Sequence, residues 1–193
     1  MVGGVETFRI IIVISNVEEE SAAIKNTMPF KVGDQVIHPR HGLGQVTNLA
    51  VKQFVQGEKR PFYEISFPGS TLWVPLNLTT SRVRKLSEKS EIDSCRRVLK
   101  APAAPLTDDF RLRQTELKDH LKEGTLTARC EVVRDLTAYG WHKTLSGSIA
   151  IFLQTALEVL CQEWAAVEGI TLAEAATEIQ SLLEKGKQVY DNN

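Results

Sequence analysis

The sequence predicts a two-domain α+β chain: a small SH3-like or Tudor-like β-barrel towards the N-terminus, then an all-α helical domain of about five helices. Three observations carry this. Apolar residues alternate with a period near two from Phe30 to about Leu86, then recur every three to four residues beyond Ser87. The first region is rich in glycine, proline, aromatic and β-branched residues, the vocabulary of short strands and tight turns. The charge also changes sign: residues 28–87 hold 8 basic and 3 acidic side chains, whereas 88–193 hold 13 and 17. The full 193 residues suffice for one modest core or two smaller ones.

Residues 1–27 have no clear period and are expected to be a poorly ordered extension, with Met28 a plausible native start. Within them "FRIIIVI" (Phe8–Ile14) is strand-like, but it lacks a signal peptide's basic leader and is far short of the roughly 20 apolar residues that cross a bilayer. No membrane association is expected, and the location should be cytoplasmic. From residue 28 to 87, strands are expected around Val32–Ile37, along "GLGQVTNLAVKQFVQ", and at "PFYEISF" and "STLWVPL". Four or five such strands bury a common core by curling round one another, which is the argument for a closed barrel. From 88 to 186, helices are expected at 89–100, 108–123, 127–139, 146–168 and 171–186, separated by "APAAP", "EGT", "GWHKT" and "EG", with 187–193 a tail. In the fourth helix Ile149, Phe152, Ala156, Leu160 and Trp164 form an apolar stripe.

Little in the sequence asks for catalysis. Gly42-Leu43-Gly44 lacks the Gly-Lys-Ser/Thr ending of a nucleotide loop and has no helix after it, so its glycines are read as backbone bends. His38 and His41 have no nearby carboxylate or thiolate to complete a metal shell and are read as turn residues. His120 and His142 stand alone, with no Ser/His/Asp set or carboxylate pair. Cys95, Cys130 and Cys161 are spaced by 35 and 31 residues, unlike a metal knuckle or a disulfide framework, and are read as reduced thiols in helices. The chain is therefore expected not to be an enzyme and to need no metal or cofactor.

The ordered motifs "FKVGDQVIHPRHGLGQV" (Phe30–Val46), "WVP" (Trp73–Pro75), "VLKAP" (Val98–Pro102) and "EVVRDL" (Glu131–Leu136) resemble the CarD family of bacterial transcription regulators, over roughly Phe30 to Gly186. The first module is shared with the transcription-repair coupling factor, but the helical half resembles CarD itself and no helicase motif is present. The resemblance implies a Tudor-like domain that binds the RNA polymerase β subunit. It also implies a helical domain that touches promoter DNA at the upstream edge of the bubble, through minor-groove and phosphate contacts that are largely independent of sequence. Open-complex stability, and so initiation, is what such a protein modulates.

Carried onto this chain, the resemblance puts polymerase contacts at Lys52 and Trp73, where the family often has arginine instead of tryptophan. Phe54 is given a supporting place, though Phe54 and Phe67 both also suit core packing. It puts the DNA wedge at Phe110, where familiar members carry tryptophan, with Arg111 and Arg113 flanking it and Lys143 as a further phosphate contact. Residues two apart on a helix do not share a face, so at most one of the two arginines stands beside the ring. Lys118 and Lys122 read as helix-surface charge. Within "EVVRDL", Val132, Val133 and Leu136 form an apolar patch, while Glu131, Arg134 and Asp135 face outward or bridge neighbours. A monomer is expected. The competing expectation is a polymerase- or protein-binding module with little DNA contribution, which the acidic helical half favours.

Overall fold

A computed structural model of the chain describes residues 29–52, 60–76 and 83–191. Its first part is a five-stranded antiparallel sheet with β1 (Gln35–His38), β2 (Gly42–Lys52), β3 (Arg60–Phe67), β4 (Ser70–Pro75) and β5 (Arg84–Lys85), in the order β4-β3-β2-β1-β5. Alternation dictates which face is inside: Tyr63, Ile65 and Phe67 on β3 are buried, as are Val36, Val46 and Val74. The β3–β4 hairpin turns at Pro68-Gly69, where Gly69 takes a φ of 78° that a side chain would strain. A register shift between Val46 and Asn48 bends the long β2, and Thr47 Oγ1 at that bulge donates to Glu64 O at 3.2 Å.

The expected closed barrel is not formed: the sheet is open. Closure needs a β4–β5 ladder, and among the described residues β5 pairs only with β1, through Val36↔Lys85 and Ile37↔Arg84. Two physical causes are visible. β5 is only two residues long, and its Arg84 side chain is drawn into the helical half, away from β4. Four ladders form and the fifth, closing one is missing, while Phe30 and Val83 are buried in the same core as the sheet's inward residues. Phe30 is fixed there by Tyr63, whose Oη donates to Phe30 O at 3.2 Å.

The helical half has the expected number of helices: α1 (Lys89–Lys100), α2 (Phe110–Lys122), α3 (Leu126–His142), α4 (Gly147–Glu168) and α5 (Leu172–Asp191). The centre is α3, which packs on all four others. Leu126, Ala128, Cys130, Val132, Val133, Leu136 and Ala138 bury nearly its whole circumference, the pattern of a helix inside a core. Cys95 and Cys130 are free thiols in that core, and burial, reinforced by the neighbouring Cys95, raises the Cys130 thiol well above its usual range. By contrast α2 packs chiefly on α3 and buries only Arg113 and Leu117.

Sheet and helices meet at a polar joint. Glu163 on α4, 0% exposed, takes both prongs of Arg84, Nη1 to Oε1 at 2.5 Å and Nη2 to Oε2 at 2.6 Å. Ser87 N donates to the same carboxylate at 3.2 Å, and Arg84 Nε donates to Gly124 O. Beside it Leu43 N donates to Gln162 Oε1 at 2.9 Å, an approach that leaves no room for a Cβ at Gly42.

Candidate functional site

The start of α2 is built by its surroundings. Pro102 and Pro105 keep the preceding segment out of helix, and Ala104 N in that segment donates to Asp135 Oδ1 at 2.9 Å. Asp109 then caps the helix, accepting from Leu112 N at 2.8 Å, which makes Phe110 the first helical residue. Phe110 is 42% exposed, beside exposed Arg111 and Leu112.

The two arginines separate. Arg111 faces outward, whereas Arg113 is only 7% exposed and donates from Nη1 to Thr107 O at 2.6 Å and Asp108 O at 3.1 Å. Its guanidinium lies 4.9 Å from the Tyr139 ring centroid and 5.9 Å from that of Phe110. Lys143 sits on the same Tyr139 ring at 5.4 Å, and its Nζ bonds Asp108 Oδ1 at 2.8 Å. That bond lowers the Asp108 carboxyl below its ordinary range and raises the Lys143 ammonium. The result is an exposed ring at the tip of α2, Phe110, backed by Arg113, Tyr139 and the Asp108–Lys143 pair.

The far end of α2 is tied down by a histidine. His120 bonds Glu123 through Nδ1 at 2.7 Å and Glu131 on α3 through Nε2 at 2.8 Å. Burial opposes its charge, but the two carboxylates outweigh burial and raise its pKa. Glu131 and Asp135 of "EVVRDL" thus pin α2 and the segment before it, while Val132, Val133 and Leu136 fill the core.

In the sheet, Trp73 lies on the outermost strand, β4, opposite Glu64, and is half-buried. Lys52 ends β2 opposite Arg60; its side chain and all of Phe54 lie outside the described residues, as do residues 1–27. Phe67 is core, its ring filling the space that Gly44 leaves open. His38 Nδ1 accepts from Arg40 N at 3.1 Å and His41 N at 3.2 Å, which commits it to the β1–β2 turn. Among the described residues no group of three or more His, Cys, Asp or Glu side chains could hold a metal ion, and no helix is long and apolar enough to cross a membrane.

The sequence reading missed Arg84, Arg129, Gln162 and Glu163. For Glu163 a signal existed: three residues after Leu160 and seven after Ala156, it falls on the apolar stripe of α4, where a carboxylate requires a partner.

The CarD-like/TRCF RID domain family matches residues 30–87, and the CarD C-terminal domain family matches 95–180, in that order. The chain belongs to the CarD-like family. Its open sheet is the RID-type module, and α1 to α5 contain the CarD C-terminal module. A relative from Bacillus subtilis (strain 168), "Putative transcription factor YdeB", is 27% identical over 145 residues, spanning 74% of this CarD-like chain and 94% of the relative. Family membership places the protein among transcription-associated factors.

Proposed function

We propose that this CarD-like protein binds the RNA polymerase β subunit through its sheet module and inserts Phe110 into the minor groove at the upstream edge of the transcription bubble, so altering open-complex lifetime. It works as a non-catalytic cytoplasmic monomer, with 28–87 as the polymerase-binding domain and 88–186 as the DNA-contacting domain. One observation carries the reading: an aromatic ring stands exposed at the first position of a capped helix, next to an outward arginine. An apolar ring so presented is suited to leaning on a partly unstacked base step. Arg111 supplies a phosphate contact that positions without reading sequence. Lys143 supplies another once it leaves Asp108, and Arg113 serves by fixing the ring's approach. On the sheet, the outer strand β4 with Trp73, together with Lys52 and Phe54, forms the polymerase surface.

A second reading has an observation of its own. Arg113 is buried and Lys143 is paired, leaving few unpaired cations around Phe110, as in a polymerase-binding module with little DNA contribution. Open-complex lifetime with the cognate polymerase separates the two. Phe110→Ala should shorten it several-fold, Phe110→Trp should restore it, and polymerase capture should stay unchanged in both. An unchanged lifetime for a folded Phe110→Ala protein favours the second reading.

A further inference from the structure

The joint between sheet and helices opens on one side into a cleft of about 970 Å³, lined by residues of β1, β5 and α1 to α4. That is the size of a small-ligand site. Its lining includes Ile151, 66% exposed, and Phe152 on α4, together with the cations Arg40 from the β1–β2 turn, Lys118 from α2 and Arg129 from α3. The carboxylates on the lining are already engaged, Glu123 with His120 and Glu91 with the Glu88 backbone N–H. Arg40 and Lys118 have no carboxylate within ion-pair distance among the described residues.

Arg129 is the decisive residue. It is 3% exposed, and its Nε and Nη1, both sealed from solvent, have no hydrogen-bond partner. Its one bond, Nη2 to Pro39 O, is long at 3.5 Å. The nearby carboxylate, Glu163, is held at both oxygens by Arg84, so the joint sets two guanidiniums against one carboxylate. Burial pushes the Arg129 pKa down to about 10, with Glu163 opposing the shift and Arg84 adding to it. A buried guanidinium so poorly matched calls for an anion.

We propose that the cleft binds a small phosphate monoester, its head group received by Arg129 with Arg40 and Lys118 and its apolar body laid against Ile151 and Phe152. Arg40 and Lys118, which have no ion-pair partner among the described residues, and the under-bonded guanidinium of Arg129 outnumber the lining carboxylates Glu91 and Glu123, which suits a dianionic phosphate better than a single carboxylate, and the arginine fork suits phosphate geometry. The weak tether to Pro39 lets the guanidinium turn into the cleft. The site lies towards the opposite end of α2 from Phe110, so it is separate from the proposed wedge.

The test titrates the full chain with phenyl phosphate, inorganic phosphate and benzoate at constant ionic strength, read by calorimetry and by backbone amide shifts. Phenyl phosphate should saturate a site at least ten-fold tighter than either of the others, with the largest shifts at Arg40, Arg129 and Ile151–Phe152. Arg129→Met should weaken phenyl phosphate at least ten-fold while the far-ultraviolet spectrum and cooperative melting are retained. Should that variant unfold, Ile151→Ser serves in its place, weakening phenyl phosphate several-fold and leaving inorganic phosphate unchanged. Equal binding by the folded Arg129→Met protein, indifference of phenyl phosphate to Ile151→Ser, equal affinity for all three probes, or shifts centred elsewhere would each overturn the proposal.

Discussion

Replacing Glu163 by glutamine tests the joint at its centre. The carboxylate is fully buried and accepts three hydrogen bonds, two from Arg84 and one from Ser87 N. Breaking a buried pair by removing one charge costs about 3–5 kcal/mol, because the abandoned cation stays behind. Arg84 keeps partial contact with solvent and glutamine keeps one acceptor oxygen, so the lower end applies, ~3 kcal/mol. For a chain of this size that lowers Tm by about 6–12 °C. Urea unfolding followed by circular dichroism and tryptophan fluorescence measures it, since Trp73 reports from the sheet and Trp141 and Trp164 from the helices. The charge argument also fixes the sign of a coupling. Arg129→Met alone should change stability little, whereas in the Glu163→Gln background it should recover about 1 kcal/mol by removing an unmatched cation. A loss under ~1 kcal/mol for Glu163→Gln, or a further loss on adding Arg129→Met, refutes the reasoning.

Other outcomes follow from the same geometry. The raised His120 pKa means its charged form is favoured in the fold, so its contribution is complete below the unfolded value near 6.5 and is lost as pH rises through the higher folded value; unfolding between pH 5.5 and 9 should show this slope, and His120→Gln should abolish it. Gly42→Ala combines a φ of 72° with a Cβ pressed against Gln162 and should cost about 2 kcal/mol through strain and loss of the Leu43–Gln162 bond; a smaller cost of the same change in a Gln162→Ala background, measured by the same unfolding assay, checks that the clash contributes. Arg113→Met should loosen the Thr107–Asp108 segment and cost about 1–2 kcal/mol, whereas exposed Arg111→Met should cost less than about 0.5, both read by thermal unfolding.

How much was legible in the sequence depends on the range of the interaction. α1 was read at its true limits, because the period of Ile92, Cys95 and Leu99 and the proline after it are local signals. α3 and α5 were read short, stopping before Gly140 and at Gly186, since glycine is a common helix stop. Neither glycine ends its helix: Gly140 is exposed with room for a side chain, whereas Gly186 is a place of close packing, where a Cβ would lie 3.1 Å from Leu99 O. Barrel closure was misjudged because it depends on where β5 goes, and Arg84 is claimed by a glutamate 79 residues away. The inward turn of Arg113 was illegible for a similar reason, since its acceptors are carbonyls of an irregular segment rather than residues at a helical spacing.

The fork between Arg84 and Glu163 fixes an angle as well as a distance. A single bond would leave sheet and helices free to swivel; two parallel bonds, with Gln162 gripping the β2 backbone beside them, do not. On the function proposed above, the chain would behave as a caliper whose jaws are the outer strand β4 and the tip of α2. Once one jaw has closed on its target, the other meets its own at a local concentration set by the protein rather than by the solution. Under that condition a jaw can be individually weak, and a tip with one exposed ring and one outward arginine is enough.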